Sequence, residues 1–112
     1  MPHWIAVATL SECPPGTALE VVAGERIVAV FNVEGTIYAV DGVCPHQGGP
    51  LGKGTLTGNV VTCPWHGWQF NVCTGQHELN AKIALGLLPV RVERETILID
   101  CHPDDNGSRS IE

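Results

Sequence analysis

Two short segments constrain this chain more than anything else in it. Cys44-Pro45-His46 and Cys63-Pro64-Trp65-His66 each offer one thiol and one imidazole, and sixteen residues separate His46 from Cys63. A single C-x-H or C-x-x-H is weak evidence of a ligand set. Two mixed halves, each followed by glycine, point to one four-donor site. Gln47-Gly48-Gly49-Pro50-Leu51-Gly52 follows His46, and Gly67 follows His66. Glycine lets backbone N–H groups approach an anionic acceptor and take positive φ. Pro45, Pro50 and Pro64 stiffen the two loops, so holding donors in place costs less entropy.

The spacing also bears on the metal. Zinc accepts two Cys and two His, but finger sites draw both Cys from one half and both His from the other. Here each half is mixed. That suits a binuclear [2Fe–2S] centre with both cysteines on one iron and both histidines on the other, the Rieske arrangement. Structural zinc stays open as the alternative. Neutral imidazoles in place of thiolates make such a cluster less negative and easier to reduce. Its potentials span about −150 to +300 mV, against about −400 mV for all-cysteine plant-type ferredoxins.

The rest of the chain reads as short β runs. Ile5–Ala8 and Leu19–Val22 are strand candidates, with Ser11–Gly16 a loop and Ala23-Gly24-Glu25 a turn. Arg26–Val33 and Thr36–Val40 form a first hairpin around Glu34-Gly35. Leu87–Glu93 and Thr96–Asp100 form a second around Arg94-Glu95, with Pro89 marking an edge. Asn59–Thr62 and Trp68–Phe70 are strand-like pieces inside the Gly-rich segment. The expected fold is all-β, with an antiparallel base carrying a small inserted cluster-binding subdomain. The second hairpin is expected to complete the sheet begun by the first. The base takes residues 1–42 and 76–103, the cluster-binding subdomain 43–75, and a polar tail 104–112.

Composition narrows the function. A chain of 112 residues fits one small domain. Twelve acidic against six basic residues give a net charge of −6, which disfavours nucleic acid and anionic membranes and is compatible with docking on a basic patch of a protein partner. No apolar run reaches membrane-spanning length, and the start Met1-Pro2-His3-Trp4 has no export-signal pattern. A cytoplasmic protein is expected, with its five cysteines reduced and available for metal chemistry.

Cys44-Pro-His46-Gln-Gly-Gly-Pro-Leu and Cys63-Pro-Trp-His66-Gly-Trp-Gln-Phe resemble the two halves of the Rieske [2Fe–2S] signature. The flanking hairpins extend the resemblance over nearly the whole chain. It is similar to the ferredoxin component of bacterial ring-hydroxylating dioxygenase systems, and also to the small subunit of NAD(P)H-dependent nitrite reductases. The resemblance implies one cluster per chain, bound by Cys44, His46, Cys63 and His66. It implies a carrier rather than an enzyme, a monomer passing single electrons from a flavin-containing reductase to a terminal oxygenase. Gln47, Gly48, Pro50, Trp65, Gly67 and Trp68 would surround the cluster and form the docking rim. The alternatives are a subunit of a nitrite reductase or similar complex and a zinc-binding interaction module.

Departures from the respiratory branch of the family carry information. Two cysteines that tie the loops together there correspond to Gly49 and Trp65 here, so that bridge cannot form. A serine and a tyrosine beside the cluster correspond to Trp68 and Phe70, which removes hydroxyl donors to sulfur. Fewer donors imply a potential in the lower half of the Rieske range. Cys13, Cys73 and Cys101 read as small apolar residues. His3, His77 and His102 read as surface or strand-end residues. Trp68 reads as packing between subdomains, and Trp65 as packing or docking surface.

Overall fold

A computed structural model of the chain describes residues 4–43, 49–65, 67–80 and 82–100. Its strands are β1 (Trp4–Thr9), β2 (Ala18–Ala23), β3 (Arg26–Val33), β4 (Thr36–Asp41), β5 (Thr55–Thr57), β6 (Val60–Thr62), β7 (Gln69–Asn71), β8 (Leu87–Leu88), β9 (Val90–Glu93) and β10 (Thr96–Asp100). The only helical pieces among the described residues are 3₁₀ turns at Leu10–Glu12 and Leu51–Lys53. No helix among them is long and apolar enough to cross a membrane. The all-β expectation agrees with this architecture.

The β3–β4 hairpin turns where the sequence places it. Glu34 (φ 52°) and Gly35 (φ 98°) both take the left-handed region, which matches the twist of the flanking strands. Asn32 pins the turn from below. Its Oδ1 accepts the Gly35 N–H at 2.7 Å and its Nδ2 donates to the Cys13 carbonyl at 2.8 Å. A buried amide is thereby satisfied.

The strands form three antiparallel sheets, β1-β10-β9, β2-β3-β4-β8 and β5-β6-β7. This corrects one expectation. The second hairpin, β9–β10, does not complete the sheet of the first; it pairs with β1, in the register Trp4↔Asp100 to Thr9↔Thr96. The run 87–93 is divided at Pro89. Leu87-Leu88 pair with β4, and Val90–Glu93 pair with β10. Proline has no N–H to extend a ladder, but its carbonyl still accepts from Asp100 at 3.1 Å. The chain changes sheets at this residue.

Packing explains why the middle of β3, Val28–Phe31, is apolar on both faces. Val28, Ala29, Val30 and Phe31 are all fully buried. Alternate side chains of a strand point to opposite faces. Val28 and Val30 join Ile97, Ile99, Leu88 and Cys13 in one core, between the two base sheets. Ala29 and Phe31 join Leu51, Val61, Cys63, Phe70 and Leu85 in a second, beneath the inserted strands. The middle sheet is therefore covered on both sides. Cys13 is one of these apolar fillers. Burial pushes its thiol up, and Sγ lies 3.7 Å from the Thr17 carbonyl.

The insertion sits close on the middle sheet. A Cβ placed on Gly52 would lie 2.6 Å from the Glu20 Cα of β2. Phe31→Ala should therefore cost about 3–5 kcal/mol and loosen the insertion from its base. Chemical denaturation read by circular dichroism would measure the loss, and an unchanged midpoint would contradict it.

Candidate metal centre

Each loop leaves the fold through a hydrogen-bonded neck. The first departs after Val43 and returns at Pro50. Val43 and Pro50 form an antiparallel bridge, and the Leu51 N–H donates to the Gly42 carbonyl at 3.0 Å. The second loop caps the β6–β7 hairpin. The Cys63 N–H donates to the Trp68 carbonyl at 2.7 Å, next to the Thr62↔Gln69 pair, where Gln69 Nε2 lies 3.1 Å from Thr62 Oγ1. Gly67 takes φ 73° within this turn, a conformation that a side chain would strain.

The two loops touch at their roots. A Cβ built on Gly49 would lie 2.6 Å from Cys63 Sγ and 3.0 Å from Trp65 Cβ. Gly49 is therefore glycine because the neighbouring thiol occupies the space of a side chain. The pair that matches the respiratory disulfide positions, Gly49 and Trp65, is in contact without any covalent link. Cys63 is 1% exposed and lies in the apolar core under the insertion. A buried sulfur beside a side-chain-free backbone suits a thiolate ligand of a [2Fe–2S] cluster.

The fold disposes of the other predicted site residues in different ways. Cys44, His46, Gln47, Gly48 and His66 lie outside the described residues, as do Cys101, His3, His102 and the tail 104–112. Pro50 is half-buried at the first neck. Trp65 is 49% exposed. Trp68 is half-buried against the core under the insertion and, with Gly67, Gln69, His77 and Leu79, lines a surface depression of about 240 Å³. Cys73 packs at the edge of the same core. Its hydrogen bond with the Tyr38 side chain holds the phenol above its usual range.

Sequence reading missed the contacts of two residues here. Gly49 is expected as a loop glycine and as the counterpart of a respiratory disulfide cysteine, but its close approach to Cys63 Sγ has no local signal beyond the Gly48-Gly49 pair. His77 was read as a surface or strand-end residue. It instead forms a bridge with Phe70 of β7, and Gln76 bridges Ala84, so the segment after residue 75 also clasps the inserted sheet.

An antiparallel base, an inserted three-stranded sheet and two glycine-rich loops whose roots meet at a buried cysteine define an all-β protein with one candidate metal-binding end. Residues 3–85 match the Rieske [2Fe-2S] domain, and the chain belongs to that family. Its cofactor is accordingly a Rieske-type [2Fe–2S] cluster. It is 36% identical over 99 residues to the ferredoxin component of a naphthalene 1,2-dioxygenase system from Pseudomonas aeruginosa, covering 87% of this chain and 94% of that one. A chain of the solved complex of reduced oxygenase and oxidized ferredoxin in carbazole 1,9a-dioxygenase superposes with a TM-score of 0.79. The identity is 33%, with 97% of both chains covered. A chain from Mycobacterium tuberculosis, named for the small subunit of an NADH-dependent nitrite reductase, gives the same TM-score at 21% identity. That match covers 88% of this chain and 95% of the other, and shows the shared fold alone.

The Gly49–Cys63 contact yields a direct prediction. Gly49→Ala should fold but retain much less cluster, because the added methyl competes with Cys63 Sγ for the same space. Iron and acid-labile sulfide per chain after anaerobic reconstitution would measure it. Wild-type cluster content would contradict the crowding argument.

Proposed function

We propose that this chain is a soluble one-electron carrier of the cytoplasm, accepting electrons from a flavin-containing reductase and delivering them to a terminal oxygenase. It works as a monomer and catalyses no reaction alone. Cys44 and Cys63 would bind the cluster as thiolates, and His46 and His66 through one ring nitrogen each. When bound, the cluster supplies a single-electron couple. The chain holds it in the loops of residues 43–75, which the 76–85 segment braces. Gln47, Gly48, Pro50, Trp65, Gly67 and Trp68 form the surrounding rim.

The observation that carries this reading is the root contact, Gly49 against Cys63 and Trp65. It links the loop that follows Cys44 and His46 to the loop that holds Cys63 and His66. Relatives named as ferredoxin components support the carrier role. Identity is 36% to a dioxygenase ferredoxin component but 21% to the nitrite reductase small subunit, so the carrier reading outranks the subunit reading. Charge distribution supports docking through the loops. Between Val43 and Leu85 the charged residues are Lys53, Lys82 and Glu78. The acidic excess thus belongs to the flanking segments, leaving a charge-poor rim suited to a weak, transient redox contact.

Two outcomes follow. With a flavin reductase and a terminal oxygenase, the reconstituted protein should support NADH-dependent substrate oxidation, and His66→Ala should abolish it. Purification only within a large siroheme-containing assembly, with no transfer to an oxygenase, would favour the nitrite reductase reading instead. The midpoint potential should fall in the lower half of the range of about −150 to +300 mV, because Trp68 and Phe70 replace the hydroxyl donors. A redox titration giving a value near the top would contradict that.

A further inference from the structure

The backbone of His77 belongs to the segment that braces the inserted sheet, but its ring has been given no role, and that ring is built into the wall behind the second loop. Trp68 and Phe70 are two residues apart and so share a face of the hairpin arm. His77 meets both edge-to-face. Its ring centroid lies 4.6 Å from that of Trp68 at 89°, and 5.2 Å from that of Phe70 at 81°. Trp68 and Phe70 are 6.2 Å apart and tilted by 46°. Such T-shaped geometry is the favoured aromatic contact.

The imidazole is held in that orientation by the backbone. The His77 N–H donates to the Ile83 carbonyl at 2.9 Å, and Nδ1 accepts the Leu79 N–H at 3.0 Å. As an acceptor, Nδ1 carries no proton, so the neutral ring bears its hydrogen on Nε2. Trp68, the residue it braces, accepts the Cys63 N–H through its own carbonyl. A short path therefore runs from His77 through the Trp68 indole and backbone to Cys63.

We propose that His77 is a positioning residue for the cluster, its ring bracing Trp68 so that the Cys63–Trp68 turn keeps the width its ligands need. The proposal rests on reading Cys63 and His66 as ligands. It assigns the effect to the ring rather than to the hydrogen bond with Leu79.

Two substitutions in the holoprotein separate ring from acceptor. His77→Asn keeps an oxygen able to accept the Leu79 N–H, as asparagine does in local turns, but removes the aromatic ring. His77→Phe keeps a ring and removes the acceptor. The expected result is that His77→Asn shifts the EPR g-values and midpoint potential. It should also lose its visible chromophore about two- to tenfold faster. His77→Phe should stay close to wild type on all three. Wild-type behaviour of His77→Asn, or equal damage in both variants, would overturn the proposal. Should His77→Asn not fold, Trp68→Leu must reproduce the spectral shift, and an unshifted spectrum would overturn it equally. His66→Ala is the separate control for the ligand reading. If it kept a wild-type spectrum, that reading would fail whatever the His77 variants do.

Discussion

The middle sheet is apolar on both faces, and the remaining elements are arranged to cover it. In β3, the residues Val28 and Val30 look toward one core, while Ala29 and Phe31 look toward the other. Leaving either face wet would forfeit roughly 1.5–3 kcal/mol for each large side chain exposed. The outer base sheet closes one face. The inserted strands, with the 3₁₀ turn of Leu51–Lys53, close the other. The loops proposed to offer the metal donors thus stand on a layer that the core itself requires.

Rigidity at the metal end is assembled from backbone contacts. Each loop is fastened at its neck, by Val43↔Pro50 in one case and by Cys63 to Trp68 in the other. Close approach of Gly49 to Cys63 and Trp65 then joins the two roots. The resemblance to the respiratory branch implies a disulfide at the matching positions there. Here van der Waals contact over a glycine takes that place, consistent with a chain whose cysteines serve metal and packing. Preorganised donors reduce the reorganisation that accompanies a change of charge.

Local signals were legible in the sequence, and non-local ones were not. Glu34-Gly35 announces a turn because its two residues must take positive φ. The Cys44/His46 and Cys63/His66 halves predict a metal because few other needs put those side chains at such spacing, and the match to the Rieske family agrees on the cluster. The partition into sheets was hidden. Alternation along Val90–Glu93 marks a strand but not its sheet, and β1, which pairs with the other arm of the hairpin, is at the far end of the chain. Pro89 was visible as an edge marker, yet its role in switching sheets depends on that distant partner. Thr55–Thr57 has one apolar residue between two exposed threonines, so it lacks the apolar signal that marks Val60–Thr62 of the same length. The packing of Gly49 on Cys63, and of His77 on Trp68 and Phe70, depends on loops meeting in space.

The central claim is a diiron core held unevenly, by sulfur on one side and imidazole nitrogen on the other. Electron–nuclear double resonance on the reduced protein, grown with ¹⁵N-labelled histidine, tests it most directly. The account predicts strong coupling to two histidine nitrogens, one from His46 and one from His66, with each lost in the corresponding substitution. A reduced centre coupled to no histidine nitrogen, as in all-cysteine ligation, would contradict it.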